Sequence, residues 1–378
     1  MLNKEELIRY NRQIILPDFG VEGQEKLKKA SVLVIGAGGL GAPNLMYLAA
    51  AGIGRIGIID FDEVSLSNLH RQVLFKTSEI GQSKAEVAKG RLSELNPTID
   101  FVTFNSPITS SNALDIINDY DVVVDGSDNL PTRYLVNDAC FFLGKPLVYG
   151  AIFRFEGQVS VFNLIDEKGL KGPNYRDLFP TPPPPELVPS CTEGGVIGVL
   201  PGIIGSMQAN EVIKVVTGIG ETLTGRLFLF DALDMTSRTL NVKHQPSNPL
   251  TGDHPELTEL IDYEAFCSGS DEGRQIVEIS PRTLMEKMAK GSPFILDVRE
   301  DYEYEISNIG GVLIPLNQLN DRLGEIPNNE EVVVMCKTGG RSKKAIDLLF
   351  KSGFKDLVNL KGGILAWRHE IDPTLKVY

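Results

Sequence analysis

The run Ser31-Val-Leu-Val-Ile35, followed at once by Gly36-Ala-Gly-Gly-Leu-Gly41, constrains this chain more than any other stretch. An apolar run bounded by glycines predicts a buried strand, and glycines at 36, 38 and 41 predict a tight turn into a helix. The small-residue stretch Pro43 to Gly52 reads as that helix, and Arg55-Ile-Gly-Ile-Ile59 reads as a second strand ending at Asp60. In such a unit the backbone N–H groups and the helix N-terminus can approach a phosphate closely. A carboxylate at the end of the second strand can accept hydrogen bonds from a ribose. Up to this point the pattern suits NAD and ATP equally.

Further strands are predicted at Asp100 to Phe104, Asp121 to Asp125 and Pro146 to Gly150, alternating with helices at Ser83 to Leu95 and Asn129 to Phe142. That order predicts an α/β fold built on a Rossmann-like, mainly parallel sheet. Glu156-Gly-Gln-Val-Ser-Val-Phe162 alternates and predicts antiparallel strands added to it. Pro180 to Pro189 predicts an extended surface loop, Pro201 to Gly218 a helix, and Gly225 to Asp231 a strand. With 378 residues the chain is long enough for a second domain. The expected division is an ATP-binding domain over 1–245, a linker over 246–275 rich in Pro, Gly, Ser and acids, and a smaller α/β domain over 276–378.

The second domain opens at Ser280-Pro281, a cap followed by a tolerated first-turn proline. Strands are predicted at Phe294 to Val298 and Glu331 to Met335, and a helix at Arg341 to Gly353.

Two cations follow the ribose acid: Arg71 in Ser67-Asn68-Leu69-His70-Arg71-Gln72, and Lys84. Adenylation needs such groups, because attack of a carboxylate on the α-phosphate expels pyrophosphate and its charge must be stabilised. Asp128, in Asp125-Gly-Ser-Asp128-Asn129 at a later strand end, is placed to hold Mg²⁺. A net charge of −13, from 37 basic and 50 acidic residues, argues against a nucleic-acid partner. No apolar run reaches the length of a bilayer span, and the N-terminus lacks a leader-like stretch, so a cytoplasmic protein is expected.

Arg9-Tyr-Asn-Arg12-Gln, Gly36 to Gly41, Asp60-Phe-Asp62, Leu66 to Gln72 and Asp125 to Asn129 together resemble the MoeB/ThiF family, bacterial relatives of ubiquitin-activating enzymes. The resemblance runs from about residue 4 to residue 245. It implies ATP bound through positions matching Gly39, Asp60, Ser67 to Arg71, Lys84, Asp128 and Asn129, and a homodimer in which Arg12 reaches the partner's nucleotide. The implied substrate is the Gly-Gly tail of a ubiquitin-fold sulfur carrier. Many such relatives hold a structural zinc with two Cys-x-x-Cys pairs. Here the first place reads Asn174-Tyr-Arg-Asp177 and the second, near Asn248 to Asp253, has no cysteine. No zinc is expected, and packing or hydrogen bonds must hold the region instead.

Cys336 closes an apolar run and opens Cys336-Lys337-Thr338-Gly339-Gly340-Arg341-Ser342 ahead of a helix. Such a loop turns N–H groups inward, and with the helix dipole and Arg341 it is expected to favour a thiolate. With Asp297-Val-Arg299-Glu300 and Gly362-Gly-Ile-Leu-Ala-Trp367, residues 276–378 resemble a rhodanese domain, whose cysteine carries a persulfide. Four residues separate Cys336 from Arg341, one fewer than in phosphatases of related fold. The fusion resembles adenylyltransferase/sulfurtransferases of the MoeZ type, which implies thiocarboxylate formation for molybdopterin, thiamine or tRNA thiolation, with a cysteine desulfurase or thiosulfate as upstream sulfur donor.

Cys191, after the proline-rich loop, matches a position where fused relatives have a cysteine able to take the acyl group. Its other reading is a packed loop residue. Cys140 is expected in the core, and Cys267 exposed in the linker. His70 is given no proton-transfer role, and His244, His254 and His369 show no ligand spacing. The rival readings are an NAD-dependent oxidoreductase fused to a rhodanese domain, which leaves Arg71 and Lys84 without a task, and a carrier-binding scaffold without chemistry.

Overall fold

The computed structural model describes residues 1–183, 195–268, 276–291 and 293–376. Its contacts separate two compact units, Met1–Gly269 and Ser270–Tyr378. The first is built on strands β1 (Ser31–Ile35), β2 (Arg55–Ile59), β3 (Asp100–Phe104), β4 (Val122–Asp125), β5 (Leu147–Phe153), β6 (Glu156–Phe162), β7 (Arg226–Asp231) and β8 (Thr236–Asn241). They form one sheet in the order β3-β2-β1-β4-β5-β6-β7-β8, parallel through β5 and antiparallel from β5 to β8. The mixed α/β sheet expected from the sequence is the one observed.

Apolar strands at the centre are buried on both faces because helices cover both. Val32 and Val34 of β1 pack with Leu45 and Leu48 of the helix Gly41–Ala51 and with Ala209 and Val212 of the helix Leu200–Thr217. The alternate residues, Leu33 and Ile35, face Tyr134, Leu135 and Ala139 of the helix Leu130–Leu143. That last helix starts where Asn129 Oδ1 accepts the Thr132 N–H at 2.9 Å and ends at Gly144, left-handed at φ 63°. Cys140 is fully buried in this layer, and burial pushes its thiol up.

Much of the segment read as a linker packs on the first unit instead. The short helix Tyr263–Ser268 lies against the helix Leu130–Leu143, and the buried Tyr263 hydroxyl donates to Asp138 Oδ2 at 2.7 Å. Asp138 also accepts from Arg176 Nε and Nη2 at 2.9 and 2.7 Å, and both side chains are fully buried. Cys267 is therefore half-buried rather than exposed, and its thiol is pushed up to about 12 by burial.

The turn at Asn174, where the resemblance would put thiolates, is held by hydrogen bonds. Asp177 accepts the Asn174 N–H at 2.8 Å and the Gln245 N–H at 2.9 Å, and Asn174 Oδ1 accepts from Asn248 Nδ2 at 3.1 Å. His244 Nδ1 stands 3.5 Å from Asp177 Oδ2. These bonds tie the turn around Asn174 to the chain beyond β8.

In the second unit β9 (Val277–Ile279), β10 (Phe294–Asp297), β11 (Val312–Leu313), β12 (Val332–Met335) and β13 (Leu357–Leu360) form a parallel sheet in the order β11-β10-β12-β13-β9. Helices again cover both faces. Ala345, Ile346 and Leu349 pack on one, and Leu284, Ile364 and Trp367 on the other.

Candidate active sites

The first site is a cleft of about 380 Å³ at the C-terminal ends of β1, β2 and β4. That is where an open parallel sheet leaves room for a ligand. Gly36, Gly38 and Gly39 form one wall, Asp60 and Asp62 a second, and Gly126 to Asn129 a third. Gly41 starts the helix beneath, where a Cβ would sit 1.8 Å from the Gly36 carbonyl oxygen, so only glycine lets turn and helix close together.

Asp60 is 8% exposed and spends both oxygens on the glycine turn and its own strand end. Oδ2 accepts the Ala37 N–H at 2.8 Å and Oδ1 the Asp62 N–H at 2.9 Å. Burial raises its carboxyl above the usual range. Lys84 is almost fully buried, and its ammonium lies 2.8 Å from Asp62 Oδ2. Arg71 Nη1 donates to the Ser67 carbonyl at 3.1 Å, and His70 Nδ1 lies 3.1 Å from the same oxygen.

Ser67, Asn68, Leu69 and His70 thus form the turn that presents Arg71 and Gln72 to the cleft. They are not part of its wall, and Leu69 packs into the core behind. Gln72 is buried, with Nε2 3.3 Å from where a Cβ on Gly38 would stand and Oε1 without a protein partner. Asp128 and Asn129 are exposed at the mouth, and Asn129 Oδ1 is occupied by the Thr132 N–H.

Sequence reading missed Ser127 and Arg133. Both line the cleft. Ser127 donates its N–H and hydroxyl to the buried Asp125 Oδ1 at 2.9 and 2.6 Å, leaving Asp125 Oδ2 without a hydrogen bond. Burial raises the Asp125 carboxyl.

Arg12 is not in this cleft. It is exposed on the helix Asn11–Ile14 and lines a separate hollow of about 420 Å³ with Arg9, Tyr47 and Asn210. Cys191 and Pro184 to Pro189 lie outside the described residues.

The second site surrounds Cys336, which follows β12 directly and is 1% exposed. Gly339, left-handed at φ 104°, caps the helix Gly340–Lys351 and donates its N–H to Sγ at 3.1 Å. Ser342 Oγ lies 3.4 Å from the same sulfur. The Cys336 carbonyl accepts from the Ile364 N–H at 2.9 Å, which ties the loop to the helix carrying Trp367. Lys337 is half-buried, while Thr338 and Gly340 are exposed.

Arg341 is paired with an acid the sequence did not point to: its guanidinium bonds to Glu303, Nη2 to Oε1 at 2.7 Å, so a carboxylate counters its charge. Asp297 and Arg299 form a fully buried bidentate pair, and Arg299 Nη2 also donates to the Ser307 carbonyl at 2.9 Å.

The ThiF family model matches residues 10–250, and the rhodanese-like domain model matches 280–370. The chain belongs to the ThiF family. It is 48% identical over 385 residues to a probable adenylyltransferase/sulfurtransferase MoeZ of Mycobacterium tuberculosis, covering 100% of this chain and 96% of that protein. A sulfur carrier protein adenylyltransferase of Thermus thermophilus is 58% identical over 264 residues, covering 70% of this chain and 97% of its own. Adenylyltransferase and sulfurtransferase MOCS3 of Aedes aegypti is 44% identical over 398 residues, covering 100% and 90%. Among solved structures, E. coli MccB with ATP superimposes at a TM-score of 0.55 with 25% identity, covering 65% of this chain and 73% of that one. The ThiF match spans Arg12 and every residue that lines the cleft, and the rhodanese match spans Asp297 to Trp367.

Proposed function

We propose that this ThiF-family chain adenylates the C-terminal glycine of a ubiquitin-like sulfur carrier and then supplies sulfur from a Cys336 persulfide. The observation that carries the reading is the pairing, in one chain, of an Asp60-anchored glycine cleft faced by Arg71 and Lys84 with a buried cysteine held by Gly339 and Ser342. The cleft fits a nucleotide: Gly38 and Gly39 leave bare backbone on one wall, and the buried Gln72 Oε1 lacks a protein partner beside it.

Asp60 takes the ribose side of the cleft, while Arg71 and Lys84 stabilise the charge that leaves as pyrophosphate. Asp128 is the residue that would hold Mg²⁺, which supplies charge neutralisation when bound. In the second step the outer sulfur of the persulfide attacks the acyl-adenylate carbonyl and AMP departs. A second thiolate, from an added thiol, then attacks the Cys336 sulfur of the acyl disulfide so formed, which leaves Cys336 in a mixed disulfide and releases the carrier as a thiocarboxylate. Cys191 enters in one of two places. Its thiolate displaces AMP from the adenylate to give a thioester, from which the persulfide then displaces it, or it attacks the acyl-bearing sulfur, displaces the Cys336 thiolate and takes the acyl group as an acyl disulfide that a thiol cleaves in the same way.

Arg12 lies outside its own chain's nucleotide cleft, which supports a homodimer in which it serves the partner's. Among the described residues no helix is long and apolar enough to cross a membrane, and the same reading places the protein in the cytoplasm with a cysteine desulfurase or thiosulfate upstream. The hydrogen-bonded turn at Asn174 supports a unit that needs no zinc. Incubation with MgATP, labelled pyrophosphate and a Gly-Gly carrier tests the proposal. Exchange is expected in native protein, in Cys336→Ala and in Cys191→Ala, but Cys336→Ala makes no thiocarboxylate and Cys191→Ala makes it slowly. Carrier-independent reduction of NAD without exchange would refute the adenylation step.

A further inference from the structure

Beside Cys336, three acceptors surround the single hydroxyl proton of Ser342. Ser342 Oγ stands 2.6 Å from Asn359 Oδ1, 3.0 Å from the Gly339 carbonyl oxygen and 3.4 Å from Cys336 Sγ. A hydroxyl has one proton, so it serves one acceptor well at a time. Which one is decided further out. Asn359 Nδ2 donates to Glu278 Oε1 at 2.8 Å, and an ionised carboxylate can only accept. The bonds from Asn359 and from Lys343, whose ammonium lies 3.1 Å away, hold the Glu278 carboxyl below the usual range. The Asn359 amide is thereby fixed with its oxygen toward Ser342. Both Ser342 and Asn359 are fully buried, so the protein sets this geometry rather than bulk water.

We propose that Glu278, Asn359 and Ser342 form a proton-positioning relay for Cys336. While Cys336 is a thiol, Ser342 donates to Asn359 and its lone pairs accept the S–H. When that proton leaves for solvent, the hydroxyl turns about its C–O bond, gives up Asn359 and donates to the sulfur anion. Asn359 therefore opposes ionisation and Ser342 supports it. Both are positioning residues, since they act on sulfur capture only through Cys336. The relay rests on Cys336 being the sulfur-carrying residue proposed above.

Other charged groups near the thiol are Lys337 in its loop, Arg341 paired with Glu303, Lys343 and Lys361 beside Glu278, and the Asp297–Arg299 pair at the end of β10. None is altered by substituting Asn359 or Ser342, so they contribute equally to native protein and to those variants.

The test is the pH profile of iodoacetamide alkylation at Cys336 in the full chain, read by mass spectrometry of the Cys336 peptide. One hydrogen bond gained or lost by a thiolate moves the midpoint by about one pH unit. Asn359→Leu shifts the profile down by about that amount, Ser342→Ala shifts it up, and the double variant matches Ser342→Ala alone. Glu278→Gln, at an exposed position, frees the amide to flip and gives a smaller downward shift, and that shift is lost when Ser342 is also alanine, which separates it from the effect of the removed charge. It carries the test if Asn359→Leu does not fold. Unmoved profiles in Asn359→Leu and Glu278→Gln, or an Asn359→Leu shift that persists without Ser342, would overturn the relay. If the relay alone is wrong, persulfide is still detected on native Cys336, whereas a native Cys336 that never takes up sulfur refutes the sulfur-transfer reading.

Discussion

Replacing Asp177 with alanine tests whether hydrogen bonds alone hold the turn around Asn174 to the chain beyond β8. The Asp177 carboxylate is 4% exposed and accepts two backbone N–H groups, those of Asn174 and Gln245. Alanine accepts neither. A buried donor left without its partner costs about 1–3 kcal/mol; the Asn174 N–H is buried and the Gln245 N–H is within reach of water, so the loss is about 3 kcal/mol. That is a large share of the roughly 5–15 kcal/mol by which a typical domain is stable. For a unit of this size it lowers the melting midpoint by roughly 10 °C.

The chain contains its own control, because its one tryptophan, Trp367, lies in the second unit. Far-UV circular dichroism follows both units, and tryptophan fluorescence follows the second alone. Asp177→Ala moves the dichroism transition of the first unit and leaves the fluorescence transition in place. Asp177→Asn, which keeps one acceptor, gives an intermediate shift. The reasoning is refuted if the first-unit midpoint of Asp177→Ala equals that of native protein, or if a chelator lowers the native midpoint, which would show that a metal holds the region.

Arg71→Ala or Lys84→Ala lowers carrier-dependent pyrophosphate exchange by about 10²–10³-fold, the usual loss when one stabilising contact to a developing charge is removed. The dichroism spectrum is unchanged in both. Burial would raise the Glu303 carboxyl, but the hydrogen bonds and charge of Arg341 outweigh it and hold the group below the usual range. A depressed carboxyl gives stability that is present above the unfolded value and lost as pH falls through the folded one. The Trp367 transition therefore weakens in acid, and Glu303→Gln flattens that dependence, as denaturant midpoints measured across pH would show.

What the sequence made legible was local. The strands at Ser31–Ile35, Arg55–Ile59 and Val122–Asp125 are apolar runs, buried on both faces, so composition alone marks them. The glycine turn and Asp60 were legible for the same reason: the residues that touch lie within one short unit. β8 was not legible, because all six of its residues are exposed and no apolar pattern is required of it. The helix Tyr263–Ser268 was hidden in a polar stretch, because it is too short to show a period and a buried polar cluster at Asp138 and Arg176 shares with Phe266 and Cys267 the work of holding it. Asp138, an acid in the otherwise apolar Asp138-Ala-Cys-Phe-Phe-Leu143, was the one trace of that cluster in the sequence.

The same division runs through the second site. Cys336, Gly339 and Ser342 are neighbours in one loop, and the loop could be read. Glu303 takes the guanidinium of Arg341 from 38 positions away, so a cation expected to act on the thiol is held by an acid on a different element. Asn359 reaches Ser342 across 17 positions and Glu278 across 81. An asparagine inside Leu357-Val-Asn-Leu360 is costly in a buried strand unless its amide is satisfied, so its presence there marks a partner without saying which. The loop around Cys336 could be read from the sequence, but the groups proposed to govern its proton converge from separate strands and helices, and only the fold brings them together.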